Sequence, residues 1–241
     1  MIVRQYSSAP RADIFASHRS RRLVSPEDRM GHLLFDTTIE AGERDNAAAP
    51  AGMTAQAHYC VAGRAVATIA GRRVVLFPGK LIAAGDARAC TIAARERLKI
   101  CSVYGVADEQ GVFVERSLAE IEGTERDVYW GAGYSKRLLV RRDGLGFAFC
   151  VTIGHADRDS SLQYRNHLET CYYIQGAGEY VWRGGSHRIR TGNGEGTAFV
   201  MNRHDAHRMV IREESVCLSI FTPAIEGSEA HDFTKEAASS Y

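Results

Sequence analysis

Apolar residues come in short runs along the whole chain, and glycine, proline or charged residues break each run. Glu179-Tyr180-Val181-Trp182 and His187-Arg188-Ile189-Arg190 lie either side of Gly184-Gly185. That spacing predicts a hairpin, because glycine adopts the positive φ a tight turn needs. Ala65 to Ile69 and Arg72 to Phe77 flank Ala70-Gly71 in the same way, and Phe77-Pro78-Gly79-Lys80 turns into a further run, Leu81 to Ala84. Sustained helical spacing is absent from both halves; the charged stretch from Glu115 to Glu122 has room for one short helix. Many short strands with turn residues between them predict an all-β sandwich or barrel.

The pattern occurs twice. Ser20-Arg21-Arg22-Leu23 with Met30-Gly31 matches Ser135-Lys136-Arg137-Leu138 with Leu145-Gly146. Tyr59-Cys60-Val61-Ala62-Gly63 matches Tyr172-Tyr173-Ile174-Gln175-Gly176, and Leu98 to Tyr104 matches the run ending Val216-Cys217-Leu218-Ser219-Ile220-Phe221. The offset drifts only between patterned segments, as loop insertions would make it do, since a longer surface loop costs little. Two homologous domains follow: 1–110, a linker at 111–127, and 128–241.

Hydrophobic residues at 45% and charged residues at 24% exclude a disordered or disulfide-dense chain. Thirty Lys and Arg against 29 Asp and Glu leave +1, so no field favours a polyanion and no nucleic-acid partner is expected. No apolar stretch approaches the roughly 18 residues of a membrane span, and Met1-Ile2-Val3-Arg4 opens no secretory leader. Six cysteines without a CxxC pair read as small core residues of a reducing compartment, which places the protein in the cytoplasm with no membrane partner.

The second copy carries the polar residues of interest. Glu169 lies on a run with apolar alternate positions and so points inward, and His204-Asp205-Ala206-His207 opens a later strand. A carboxylate and an imidazole on neighbouring strands of one barrel can converge on a divalent metal. A hydrogen-bonded pair, or two unrelated surface residues, is the plainer reading. The first copy has Gln56 where the second has Glu169, Thr54 for His167 and Cys90 for His207, so its candidate ligands are gone. This makes 1–110 a degenerate domain without metal ligands.

These motifs resemble those of the cupins, small double-stranded β-helix, jelly-roll-like barrels with metal ligands from Glu and His. More narrowly, 135–241 is similar to the ectoine synthase family. The similarity runs through Ser135 to Leu139, Gly146 to Phe149, Tyr164 to Glu169, Tyr172 to Glu179 and His204 to His207. The tail from Phe221 through Asp232 to Tyr241 and the opening Met1-Ile2-Val3-Arg4 belong to it too. The resemblance implies two tandem cupin barrels, a degenerate one and an active one.

It further implies a hydro-lyase that closes N-γ-acetyl-L-2,4-diaminobutyrate, or a close analogue, with loss of water at an iron(II) site, zinc being the alternative. Glu169 and His207 fall on two metal-ligand positions; the third, a tyrosine in the family, is Phe199, which has no donor atom. Tyr164 or His167 is then a candidate to complete the shell. Tyr164, His167, Glu229 and His231 fall on catalytic positions; Arg137, Thr152, Ser219 and Phe221 fall on substrate-binding ones. Ser219 replaces a family cysteine, with Cys217 two residues away on the same face. The expected partner is a small amino-acid substrate, and a homodimer is compatible with the fold. Two other readings stand beside the lyase: a related cupin enzyme with a different small substrate, and a non-catalytic binder of a small zwitterion.

Overall fold

The computed structural model describes residues 1–12, 14–15, 19–86, 89–192 and 196–231. The end of the family-like tail, 232–241, lies outside them. Among the described residues strands dominate, with three 3-10 turns and one short α-helix, Leu118–Ile121, in the stretch where a helix was expected. No helix is long and apolar enough to cross a membrane.

The chain divides into two compact units. The C-terminal unit comprises Met1–Ser8, Ile121–Arg141 and Ala148 onward; the N-terminal unit comprises Ala9–Glu120 and Arg142–Phe147. The expected boundaries at 110 and 128 differ from this division: the first eight residues group with the C-terminal unit, and 111–120 with the N-terminal one.

Among the described residues each unit has a seven-stranded and a four-stranded sheet. In the C-terminal unit the large sheet runs Ile2–Gln5, Thr197–Met201, Leu168–Gln175, Ser215–Thr222, Ala148–Gly154, Gly133–Leu139, Asp127–Tyr129. Its small sheet runs Arg158–Leu162, His207–Ile211, Gly178–Trp182, Gly185–Ile189. The N-terminal unit repeats both orders: Phe113–Ser117, Lys80–Ala84, Ala55–Ala62, Leu98–Gly105, Leu33–Ile39, Ser20–Val24, Arg11–Ala12, then Arg44–Ala47, Cys90–Ala94, Ala65–Ile69, Arg72–Leu76.

The outer strands are exchanged between the copies. Val114 and Glu115 pair with Ala83 and Ile82 in the N-terminal unit, as Ile2 and Val3 pair with Val200 and Phe199 in the C-terminal one. Phe113–Ser117, in the stretch read as a linker, completes the first unit's sheet. Ile2–Gln5, which opens the first copy, completes the second's. The period-2 alternation of a strand fixes this register, because a one-residue slip would turn every buried side chain outward.

Glycines mark the same turn in both copies. Gly63 has φ +83° and a Cβ there would sit 2.2 Å from the Arg97 carbonyl oxygen; Gly176 has φ +94° and a Cβ would sit 2.6 Å from that of Glu214. Only glycine meets both demands, a left-handed backbone and a close approach to a neighbouring strand. Phe35, Leu76, Ile82, Ile100 and Tyr104 belong to the N-terminal core, and Trp130, Tyr173, Tyr180, Phe199 and Met209 to that of the C-terminal unit.

Candidate active site

Two adjacent antiparallel strands build the floor of the site. Glu169, Cys171 and Tyr173 lie opposite Phe221, Ser219 and Cys217, and alternation turns all six into one cavity. Thr152 and Ser135 extend the row onto the next strands, and Trp130, Leu162, Tyr164, Tyr180, Met209 and His231 complete the wall. The cavity has a volume of about 30 Å³, room for one or two waters.

Glu169 is buried, and the Cys171 thiol donates to its Oε1 at 3.2 Å. Burial, then neighbouring Cys171, push its carboxyl well above the usual carboxylate range. No lysine or arginine among the described residues forms an ion pair with it. Ser219 accepts a hydrogen bond from Thr152 Oγ1 at 3.1 Å and lies 3.6 Å from Cys171 Sγ and 3.7 Å from Cys217 Sγ. All six cysteines are free and buried, as expected, and two of them line this cavity.

His207 is held against the ring of Tyr180, stacked at 5.0 Å between centroids. Its Nδ1 donates to the Asp205 carbonyl at 2.9 Å, which leaves Nε2 a bare lone pair; that atom is buried without a hydrogen-bond partner. Burial pulls the imidazole below its usual value, against the pull of Asp205. The Met1 ammonium anchors this turn through Asp205 Oδ1 at 2.6 Å. Phe199, fully buried, stacks on the other face of Tyr180 at 4.1 Å.

The other expected residues divide into two groups. Tyr164, Thr152, Ser219, Phe221 and His231 line the cavity with Glu169. Tyr164 OH lies 3.2 Å from His231 Nε2, and burial, then the charges of Arg137 and His207, pull that imidazole down to about 4. Arg137, Glu229 and His167 stand behind the wall. Arg137 is 1% exposed; its Nη2 donates to the Glu229 carbonyl at 2.5 Å and its Nη1 lies 3.5 Å from Glu229 Oε2. The Glu229 carboxylate accepts the main-chain N–H groups of Glu226 and Gly227, so this pair clamps the tail to the barrel. His167 Nδ1 donates to the Pro223 carbonyl at 2.8 Å at the start of the same tail.

Sequence reading passed over Trp130, Tyr173, Tyr180 and Met209 as site residues. Tyr173 was within reach, two steps along the strand from Cys171; nothing local marks Trp130. Among the described residues no three His, Cys, Asp or Glu side chains gather as a metal site. The donors present are one carboxylate, one bare imidazole nitrogen, two thiols and three phenols.

Residues 112–237 match the family model for ectoine synthase. The chain belongs to the ectoine synthase family. It is similar to the L-ectoine synthase of Marinomonas sp., 39% identical over 121 residues, 48% of this chain and 91% of that protein. It is 33% identical to that of Thermobifida fusca over 123 residues, 49% of this chain and 87% of that protein. The C-terminal half is accordingly a hydro-lyase of the ectoine synthase type. Two solved structures show the fold over nearly the whole chain. A cupin barrel protein from Leptotrichia buccalis has TM-score 0.55 at 16% identity, covering 85% of this chain and 88% of its own. An oxalate decarboxylase from Bacillus subtilis has TM-score 0.68 at 12% identity, covering 94% and 78%. Both are cupin-like barrels, as the ectoine synthase resemblance implied.

Proposed function

We propose that the C-terminal unit closes N-γ-acetyl-L-2,4-diaminobutyrate, or a close analogue, to a cyclic amidine-type product with loss of water. The observation that carries this reading is the convergence of Glu169, Thr152, Ser219, Tyr164 and His231 on one cavity inside a barrel of ectoine synthase type. The donor set fits a divalent cation, because the Nε2 of His207 is a buried lone pair without a donor and Glu169 is a buried carboxyl without a cation. Iron(II) or zinc held by Glu169 and His207 would supply a Lewis acid for the acetyl oxygen.

The chain's own residues do the rest. Ring closure needs the substrate ammonium to lose a proton before nitrogen attacks the amide carbon, and the tetrahedral carbon then to lose its hydroxyl, which takes that proton back and leaves as water. His231, neutral at physiological pH, accepts that proton at Nε2 once its contact with the Tyr164 hydroxyl breaks. Thr152 and Ser219 hydroxyls orient the polar end of the substrate, and Trp130 and Phe221 wall the reacting atoms from water. The cavity holds only one or two waters, so substrate enters when the wall moves. The clamped tail up to His231 is the segment that opens it. Arg137 acts by holding that tail.

Purified full-length chain, saturated with iron(II) and given the acetylated diamine, yields ectoine by mass spectrometry, and Glu169→Ala or chelator abolishes it. Metal-saturated protein that forms no cyclic product defeats the proposal. A different small amino-acid substrate is the second reading, favoured by Phe199 and Ser219 and by the bulk of Tyr173 and Tyr180 in the cavity wall. The N-terminal unit serves as a metal-free scaffold, and the protein works in the cytoplasm on a free small molecule.

A further inference from the structure

The two ends of the cavity in the C-terminal unit are built differently. Glu169 and Phe221 face each other towards one end; Tyr173 and Cys217 do so at the other, about 13 Å further along the strands. At the first end the Tyr164 ring stands edge-on to Phe221 at 5.1 Å, and its hydroxyl lies 3.2 Å from Nε2 of His231 on the clamped tail. At the second end Tyr173, from the large sheet, meets Tyr180 and Met209, from the small one. Its O–H donates to Met209 Sδ at 2.8 Å, so its oxygen accepts from the Tyr180 hydroxyl at 3.2 Å. The Tyr180 ring is stacked between Phe199 and His207, at 4.1 and 5.0 Å with planes 13° apart.

This second end cannot yield as a tail can. Displacing any of the three side chains breaks a hydrogen bond or a ring stack, and a close-packed interior resists even one added methylene. Both phenol protons are spent within the wall, which leaves rings and a thioether to meet a ligand and suits an apolar group. In the N-terminal unit, register places Cys60, Ala67 and Ile92 where the C-terminal unit has Tyr173, Tyr180 and Met209. The same strands therefore fold with smaller side chains at these positions. The bulk is a property of the barrel that holds the cavity.

We infer that Tyr173, braced by Tyr180 and Met209, sets the length of the acyl group that the site accepts and holds it to acetyl. This rests on the cyclisation reading of the proposed function. The substrate ammonium faces His231 at the first end, and its nitrogen closes on the acyl carbon. The alkyl group on that carbon extends away from the attacking nitrogen, towards Tyr173. A longer chain has to push into the braced wall, and one methylene too many in such a pocket lowers kcat/KM roughly 10- to 200-fold.

The test compares the N-γ-acetyl, N-γ-propionyl and N-γ-butyryl forms of L-2,4-diaminobutyrate on iron(II)-saturated full-length protein, with cyclic product read by mass spectrometry. Wild type prefers acetyl to propionyl by at least tenfold in kcat/KM and makes still less of the butyryl product. Tyr173→Leu and Met209→Ala, which cut the wall back, each lower the acetyl-to-propionyl ratio at least tenfold. Tyr173→Phe keeps the ring and stays within threefold of the wild-type ratio. Both substrates are measured on one preparation, so an unfolded fraction cancels from the ratio and lost stability does not imitate the result. Wild type that uses acetyl and propionyl within threefold of each other overturns the inference. So do Tyr173→Leu and Met209→Ala proteins that keep the wild-type ratio, or a Tyr173→Phe protein that relaxes as far as Tyr173→Leu. Cyclisation without length preference sinks this inference and leaves the proposed function standing; no cyclic product from any of the three substrates sinks both.

Discussion

Replacing Glu229 by glutamine isolates the charge that holds the tail. The glutamine keeps one acceptor oxygen for the Glu226 and Gly227 N–H groups but leaves Arg137, 1% exposed, without an opposite charge. At 3.5 Å and an effective dielectric near 20 the pair attracts by about 5 kcal/mol before desolvation. Breaking a buried pair typically costs about 3–5 kcal/mol. Here Glu229 keeps 14% exposure and Arg137 still donates to the Glu229 main-chain oxygen, so we expect about 2–3 kcal/mol. That corresponds to a fall in Tm of about 5–10 °C in the C-terminal unit. The pH dependence has a definite sign. Burial pushes the Glu229 carboxyl up, but the main-chain donors and Arg137 outweigh it and hold it below the usual value. Its stabilisation is therefore full above the unfolded carboxylate value and disappears as pH falls through the native one. Urea melts of both proteins should differ by a constant gap above pH 5, and the gap should close on acidification. A difference under about 0.5 kcal/mol at pH 7, or a gap unchanged down the acid range, would refute the clamp.

Three further outcomes follow from the same geometry. Burial pulls His58 in the N-terminal barrel down to about 4 from 6.5, so the unfolded chain binds the extra proton and stability falls as pH drops through that interval, by about 3 kcal/mol at pH 4. His58→Gln keeps the hydrogen bonding without titrating, and urea melts at pH 7 and pH 4 should show it losing that much less than wild type. Gly63→Ala and Gly176→Ala should each cost their own unit more than about 2 kcal/mol, because the new Cβ meets main-chain atoms in a left-handed turn; Gly42→Ala, with open space, should cost less in the same melts. Trp130→Ala should raise KM or leak water into the reaction while Tm changes modestly, since the ring walls the cavity and stands edge-on to His231 at 6.0 Å; an unaltered rate would remove it from the wall.

The strands and hairpins were legible because alternation and Gly-containing turns are local signals. The 65–69 and 72–76 strands, and the 178–182 and 185–189 strands, form as the sequence pattern indicates. Glu169 was legible for the same reason, since its alternate neighbours Cys171 and Tyr173 face the cavity with it. The exchange of outer strands was hidden. Ile2–Gln5 and Phe113–Ser117 have equivalent places in the two sheets, and local pattern does not say which barrel a strand joins when both offer the same edge. Arg137 shows a second limit. Its place in the motif suggested the substrate's carboxylate, but its guanidinium meets Glu229, 92 residues onward, and a contact of that span leaves no local trace.

The two barrels also show what separates a site from a core built on the same strands. In the N-terminal barrel His58, fully buried, bonds Ser102 Oγ through Nδ1 at 2.9 Å and the Gln56 side-chain oxygen through Nε2 at 3.0 Å, while the Gln56 nitrogen donates to the Asp86 carbonyl. That circuit is closed, and a ligand would have to break hydrogen bonds to enter it. In the C-terminal barrel the equivalent row is Glu169, Cys171 and Ser219. A thiol, a weak donor, replaces the imidazole at its centre, and the carboxyl is left without a cation. In the same unit, His207 Nε2 is buried without a hydrogen-bond partner. A buried polar group left unmatched costs about 1–3 kcal/mol, so this row is less stable by itself than its counterpart. A bound cation removes that deficit, which is why zinc should raise the unfolding temperature of the C-terminal unit in the wild type, and do so far less in Glu169→Ala.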